Sequence, residues 1–378
     1  MPTESDVRRA LLLDGRPVDV DAVRHAARVT GLVVDEQSIA SLSSALSADL
    51  RGFGPLEPFL ADPTVTDIVV NGAREVWVDR GDGMAITTVQ FRDDMSVRRM
   101  AQRLAVSCGR RLDDACPFVD APLADGIRLH AMLPPLVDRV SVSIRVPRHR
   151  AWTLDDLTAS GMVSPDANRL LCDLVRQRGA FLITGGTGSG KTTLLNALLG
   201  LVASTERLVI VEDTRELAPQ HPHVVRLQTR ASNIEGAGAV TMQELVRQTL
   251  RMRPDRVVVG EVRGAEVIDL LTAFNTGHRG GCSTVHANSA GEVVARLEAL
   301  GALANLSRTG VQRLLAAAID AVVHLRRDAD GRRRVTSMAV VVPDQGGVRI
   351  ESAFTFSASG EMHEQQGADL WRSLLGLE

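Results

Sequence analysis

A chain of 378 residues with 44% hydrophobic and 24% charged side chains has ordinary globular composition and the length for two or three domains with at least one large core. Its net charge is -3, with 19 Lys+Arg against 21 Asp+Glu before residue 151 and 24 against 25 after it, so neither half is a basic module and nucleic acid is a poor first expectation. The four cysteines, Cys108, Cys116, Cys172 and Cys282, form no CxxC pair and no zinc spacing, so they read as reduced thiols and no metal site is expected from them.

At the N-terminus, "MPTESDVRRALLLDG" has no apolar signal-peptide core, and nowhere does the chain approach the roughly 18 uninterrupted apolar residues of a membrane span. The expectation is a cytoplasmic protein whose membrane contact goes through a partner. Residues 1–50 carry apolar positions at three- and four-residue spacing in "SDVRRALLL", "DAVRHAARV" and "EQSIASLSSALSADL", which reads as a helical appendage. Residues 51–148 change to short β runs, "DIVV", "EVWVDR" and "AITTVQF", broken by Asn71-Gly72 and "GDG". A helix, "DDMSVRRMAQRLAVSCG", and two alternating runs, "IRLHAML" and "RVSVSIRV", complete an α+β domain.

Residues 149–164 read as a linker. From 165 to 378, strand-like runs ("AFLIT", "RLVIVE", "RVVVGE", "CSTVH") alternate with helical ones ("KTTLLNALLGLV", "MQELVRQTLRM", "AEVIDLLTAFNT", "GEVVARLEAL"). Such alternation predicts an α/β domain with a mostly parallel sheet wrapped by helices. The tail, "AVVHLRRDADGRRRVTSMAVVV" and "VRIESAFTF", reads as closing β-hairpins.

Of 43 cationic side chains one is lysine, Lys191, and it lies in "GGTGSGKT", Gly185 to Thr192. This fits Gly-x4-Gly-Lys-Thr, follows an apolar strand and opens an apolar-periodic helix, the context of a Walker A loop. Backbone N–H groups of Gly185, Gly186, Thr187, Gly188, Ser189, Gly190 and the helix start through Thr193 would cradle phosphates, and a compact ammonium reaches between them as a point charge. A planar guanidinium is too wide for that slot. The expected ligands are therefore ATP and Mg²⁺, with Thr192 placing its hydroxyl on the ion.

Further catalytic groups must stand at the carboxyl ends of strands. "RLVIVEDTREL" offers Glu212, Asp213 and Glu216, "PDRVVVGEVRG" offers Glu261, and "CSTVHANS" offers His286. Acids there can orient a lytic water or hold Mg²⁺ through water, and a histidine can sense a terminal phosphate. The residues alone leave the division of roles between Glu212 and Glu261 open. His221 and His223 in "HPH" have no third partner in view and read as a surface loop.

The ordered blocks "GFGPLEPFL", "TDIVVNG", "GRRLDDACPFVDAPLADGIRLHAMLPP", "GGTGSGKTTLLNAL", "VEDTREL", "PHVVRLQTR", "NIEG", "LVRQTLRMRPDRVVVGEVRG", "NTGHRGG" and "STVHANS" resemble the secretion ATPases of type II and type IV secretion and pilus assembly, above all the tight-adherence (Tad) pilus, CpaF-like branch. The likeness runs from about residue 51 onward. It implies a homohexameric ring of subunits with an N-terminal domain, a linker and a RecA-like P-loop ATPase domain, working on an integral-membrane platform protein; the charge balance and the lack of a long apolar run add the expectation of no stable nucleic acid and no direct membrane insertion. It also implies Glu212 as the water-activating base, Glu261 as the Walker B acid and His286 as the γ-phosphate sensor. Ala231 and Arg279 depart from the family pattern in two loops and touch no catalytic position.

The family further implies arginines acting on the γ-phosphate. Arg128 and Arg145 are the candidates, with Arg226 and Arg230 behind them, and a plain surface ion pair is the competing reading for each. Two other functions stay open beside the pilus or secretion motor: a type IV secretion or conjugation ATPase, and a hexameric DNA motor, against which the neutral charge balance argues. A nucleotide-binding regulator that barely hydrolyses ATP is disfavoured by the presence of both Glu212 and Glu261.

Overall fold

A computed structural model describes residues 52–81, 83–123, 126–147, 152–230, 232, 237–275, 277, 279–344 and 347–376, with 3, 6–7, 10–11, 20–32, 35, 38–39 and 42–43 before them. The helical readings of 5–13 and 36–50 therefore fall mostly outside the described residues, as do "NIEG", Ala231 and His278. The middle reading, "DAVRHAARV", is helix α1, Val20–Thr30, which buries Ala22, Val23, Ala26 and Ala27. The three- and four-residue spacing of these positions puts them on one face. Cα packing divides the chain into two units, Met1–His149 and Arg150–Glu378.

In the first unit, β1 (Asp67–Asn71), β2 (Val76–Asp79), β3 (Met84–Ile86), β4 (Phe118–Pro122), β5 (Arg128–Met132) and β6 (Ser141–Arg145) form one sheet in the order β3-β2-β1-β6-β5-β4. Every pairing is antiparallel. Burial alternates along β1, β5 and β6, as expected for a sheet covered on one face. The cover includes helix α3, Asp94–Ser107, following the single turn α2, Glu57–Leu60. Asp93 caps α3 by accepting from Ser96 N at 2.6 Å, a short polar side chain that satisfies an otherwise orphaned amide. Val97, Met100, Ala101, Leu104 and Ala105 then pack on Ile68, Val70, Leu129, Val142 and Ile144.

Two strand expectations change here. "AITTVQF" is a strand only as far as Ile86, because Thr87 Oγ1 accepts from Val89 N at 3.2 Å and this local turn bends the chain so that Phe91 is buried. β4 went unread because its Asp120 and Pro122 are poor strand residues; Pro122 is tolerated because β4 is an edge strand.

The second unit is built on a nine-stranded sheet, β15-β14-β13-β12-β7-β11-β10-β8-β9. β12 (Ala321–Arg327), β7 (Phe181–Gly185), β11 (Cys282–Val285), β10 (Arg256–Val262), β8 (Leu208–Glu212) and β9 (Val224–Gln228) run parallel. β13 (Arg333–Asp344), β14 (Gly347–Phe356) and β15 (Met362–Glu364) continue it antiparallel. This is the mostly parallel α/β sheet expected, preceded by a smaller α+β unit. β7, β8 and β11 are buried along their whole length, so they read as continuous apolar runs with no alternation. One core takes Phe181, Ile183, Leu208 and Ile210, and the other takes Leu182, Val211, Val257 and Val259.

The stretch read as a linker is corrected in part. Leu154–Ala159 is a helix, α4, closed by a capping box between Thr153 and Asp156, and Leu154, Leu157, Met162 and Val163 belong to the core of the second unit. The signal was present in "TLDD", a Thr-x-x-Asp cap followed by apolar residues. Helix α5, Pro165–Arg176, begins directly afterwards with Ser164 as its cap and proline at its first position. At the start of β10, Arg256 is 2% exposed. Its Nε donates to Glu206 Oε2 at 2.7 Å and its Nη2 to Val175 O at 2.9 Å, and this full pairing is what makes a buried guanidinium tolerable.

Candidate active site

β7 feeds a loop that ends in helix α6, Lys191–Leu199. Gly185, Gly188 and Gly190 have φ of +149°, +70° and +95°, a region L side chains rarely adopt. A Cβ on Gly185 would also lie 2.4 Å from Leu325 O and 2.6 Å from Ser189 Oγ. Gly190, as the left-handed residue before the helix, offers no side-chain cap. The first-turn amides of α6 are therefore left for an anion.

Lys191 is 7% exposed. Its Nζ donates to Gly185 O and Gly186 O, both at 2.9 Å. Burial is the main influence on its pKa and lowers it from the ordinary lysine value, while nearby Glu261 pulls it back up. Nζ also stands 3.5 Å from His286 Nδ1, and His286 Nε2 is 2.6 Å from Glu261 Oε1. Arg263 Nε donates to Glu261 Oε2 at 2.8 Å. Lys191, His286, Glu261 and Arg263 thus form one continuous row of polar groups at the start of α6 and the ends of β11 and β10. Burial, then Lys191, hold the His286 imidazole below its ordinary pKa.

Glu212 ends β8 and is 4% exposed. Its Oε1 accepts from Glu216 N and Leu217 N, each at 2.9 Å, so the turn after β8 fixes the carboxyl group. Its Oε2 is buried with no hydrogen-bond partner among the described residues. Burial pushes this carboxyl up to about 7, against the lowering effect of the two amides. A carboxyl group poised there has the pKa a general base needs near neutral pH. Gly260 makes room for it, since a Cβ at that position would be 2.8 Å from Glu212 Cγ. The neighbouring residue is Glu261, which puts the two acids on adjacent strands, β8 and β10.

The site has the donor set of a nucleotide centre. Ser189 Oγ and Glu212 Oε2 are buried polar atoms without hydrogen-bond partners among the described residues, and Gly186, Thr187 and Gly188 are exposed. Thr192 and Thr193 follow Lys191 in the first turn of α6, half-buried, where a hydroxyl can meet a cation. Asp213 and Glu216 are exposed. Arg128 and Arg145 lie in the first unit, directly opposite each other on β5 and β6, and Arg145 Nε is 3.4 Å from Asp67 Oδ1. Arg226 lies on β9, and Arg230 Nε donates to Gly238 O at 2.6 Å. His221 Nε2 sits 3.0 Å from Ala203 O in an exposed loop; among the described residues no group of three or more His, Cys, Asp or Glu forms a metal-binding cluster.

Sequence reasoning passed over three supports of this site. Thr184 Oγ1 and His324 Nδ1 are 2.8 Å apart and buried, locking β12 to β7 one residue before the loop. Thr284 Oγ1 donates to Gly260 O at 2.7 Å, bracing β10 beside Glu212. Arg333 Nε donates to Gly188 O at 2.7 Å. Thr184 and Thr284 stood inside runs already read as strands, but nothing local marked Arg333 among 42 arginines.

Residues 49–368 match the family described as Type II/IV secretion system protein. A Mycobacterium tuberculosis protein bearing a conjugal transfer name is 49% identical over 348 residues, covering 90% of this chain and 98% of its own. Conjugal transfer protein TrbB of Rhizobium radiobacter is 34% identical over 278 residues, 72% of this chain and 83% of its own. The X-ray structure of the Legionella pneumophila ATPase DotB matches with a TM-score of 0.53 at 21% identity, over 75% of this chain and 79% of that one, a likeness of fold. With a family match across most of its length and a relative at 49% identity over nearly all of it, the chain belongs to the type II/IV secretion system protein family.

Proposed function

We propose that the chain is an ATP-hydrolysing motor that works as a homohexameric ring at the cytoplasmic face of a membrane and drives pilus assembly or protein secretion through an integral-membrane platform. The observation that carries the reading is the meeting of Lys191, His286 and Glu261 beside Glu212, a buried carboxyl group at about 7. Among the described residues no helix is long and apolar enough to cross a membrane.

Lys191 exchanges its two loop carbonyls for phosphate oxygens, and the amides of Gly186 to Thr193 orient the triphosphate. Glu212, when ionised, takes a proton from the attacking water. His286, neutral between Lys191 and Glu261, reports whether the terminal phosphate is present. Thr192 and, through water, Glu261 are the residues that would hold Mg²⁺, whose charge offsets that of the phosphates. Loss of the terminal phosphate releases the contacts that distinguish two conformations, which is how turnover shifts their populations.

Arg128 and Arg145 are proposed as the γ-phosphate arginines. Their placement directly opposite each other on β5 and β6 supports this, since two adjacent guanidinium groups can serve one anion. Each alanine variant is expected to lower turnover by a factor on the order of 10³ in an assembled ring. Near wild-type turnover in both would remove them from the role.

The tight-adherence pilus branch is the finer assignment, supported by the "GFGPLEPFL" and "NTGHRGG" blocks. The conjugal transfer names of the Mycobacterium and Rhizobium relatives favour a second reading, a type IV secretion or conjugation ATPase. The experiment that separates them is capture of Glu261→Gln, held with ATP and Mg²⁺, from its native cells, with mass spectrometry of the membrane proteins retained. A polytopic platform protein and pilin-like subunits support the pilus motor, whereas conjugation or DNA-processing proteins establish the second. Wild-type ATP turnover no higher than that of Lys191→Ala would sink both.

A further inference from the structure

The β12–β13 hairpin reaches the phosphate loop from within the same unit. β12 runs parallel to β7 with Leu325 in register with Gly185, so the residues that follow Leu325 continue beside the loop. Two arginine pairs face each other across this hairpin, Arg326 opposite Arg334 and Arg327 opposite Arg333. Directly opposite residues share a face of a sheet and successive residues alternate, so the two pairs occupy opposite faces.

The faces are treated differently. Asp328 serves the first pair: Arg326 Nε donates to its Oδ1 at 2.9 Å and Arg334 Nε to its Oδ2 at 2.5 Å. The hairpin's other acid, Asp330, lies 3.4 Å from Arg332. The second pair faces the loop. Arg333 Nε donates to Gly188 O, and its stem passes 3.5 Å from the place where Gly190 would carry a Cβ. Arg327 is exposed, and its Nη1 stands 3.8 Å from the corresponding place on Gly188. Among the described residues Arg327 has no carboxylate partner. A solvated surface arginine needs no such placement. The loop that both arginines overhang is the one built for phosphate.

We infer that Arg327 is a nucleotide-binding residue that contacts a phosphate oxygen of a nucleoside di- or triphosphate seated in the Gly185–Lys191 loop. Arg333 is a positioning residue that holds the loop through the Gly188 carbonyl. The inference rests on the reading of that loop as a nucleotide site. It makes the β12–β13 hairpin a second arm of the site, contributed by the same subunit and independent of any arginine from the first unit.

The test is equilibrium binding of a fluorescent ADP and a fluorescent ATP to the full chain, with competition by inorganic phosphate, in wild type and in Arg327→Ala, Arg327→Gln, Arg333→Ala, Arg333→Gln and Lys191→Ala. Loss of a charge-assisted hydrogen bond weakens binding by roughly 10- to 100-fold, and that is the effect expected for both Arg327 variants. The nucleotide-free thermal midpoint should stay unchanged, and the salt dependence of binding should become shallower. At position 333 alanine should weaken binding and glutamine restore most of it, because glutamine still offers the Gly188 carbonyl a donor; at position 327 glutamine should restore nothing, because the charge is what acts. If Arg327→Ala binds ADP and ATP like wild type while Lys191→Ala does not, the inference about Arg327 falls and the reading of the loop stands. If wild type binds neither nucleotide, both fall. If Arg327→Ala weakens only the competition by inorganic phosphate, the arginine serves free phosphate and the inference is overturned.

Discussion

Lys191→Arg is expected to abolish ATP turnover in a protein that still folds. The buried ammonium sits between Gly185 O and Gly186 O at 2.9 Å from each, with His286 Nδ1 at 3.5 Å. A guanidinium has the same charge but a wider, planar head with its donors in a fixed fork, and seating it would displace the Gly185 and Gly186 carbonyls that hold the ammonium. The loss should be at least on the order of 10²–10³, the effect of removing one preorganised contact to a developing charge, and should approach that of Lys191→Ala. Steady-state hydrolysis measured alongside the thermal unfolding midpoint checks it. Wild-type turnover in the arginine variant would contradict the physical account of why the chain keeps one lysine.

Glu212→Gln is expected to lower kcat by on the order of 10²–10⁴, the usual contribution of a general base, with little change in nucleotide affinity. Its pH behaviour is the more specific signature. The carboxyl must be ionised to accept a proton, and burial has raised it to about 7, so wild-type kcat should fall as pH drops through about 7 and level off above it. That acid limb should be missing from the residual activity of the glutamine variant.

Stability runs with the opposite sign. The folded pKa of about 7 lies above the ordinary 4.5, so the folded state binds this proton more tightly than the unfolded chain does. The resulting stability is fully present below about 4.5 and is lost as pH rises through about 7, on the order of 3 kcal/mol in all. Urea unfolding of wild type and Glu212→Gln at pH 5 and pH 8 should show wild type losing more stability between the two. An equal loss in both would mean that Glu212 is not held as the buried, high-pKa acid described here.

Much of the candidate site was legible in the sequence because it is chemistry compressed into short stretches. Gly185 to Thr192 announces a phosphate loop by residue type and spacing alone, and the structure gives physical grounds for Gly185, Gly188 and Gly190 in φ, and for Gly185 and Gly190 also in the lack of room for a Cβ. Glu212, Glu261 and His286 could be nominated because strand ends are recognisable where apolar runs stop. Their division of labour could not, since it depends on surroundings: Glu212 is buried against two amides, whereas Glu261 is shared between Arg263 and His286. Burial of a single carboxyl group is a tertiary property and leaves no mark on its neighbours in the chain.

By itself the sequence determined the local elements: the α/β alternation after residue 165, the caps at Asp93, Thr153 and Ser164, and the lysine that arginine cannot replace. The tertiary structure alone decided which elements became neighbours. The tail read as closing hairpins contributes β12 as the parallel partner of the loop-bearing strand β7, β4 pairs as an edge strand despite its proline, and Arg327 and Arg333, alike among 42 arginines, meet the phosphate loop. The physical reason is that periodicity records which face of an element is buried but not what buries it. Partner choice is settled by the packing of whole strands against one another, which no short window of residues contains.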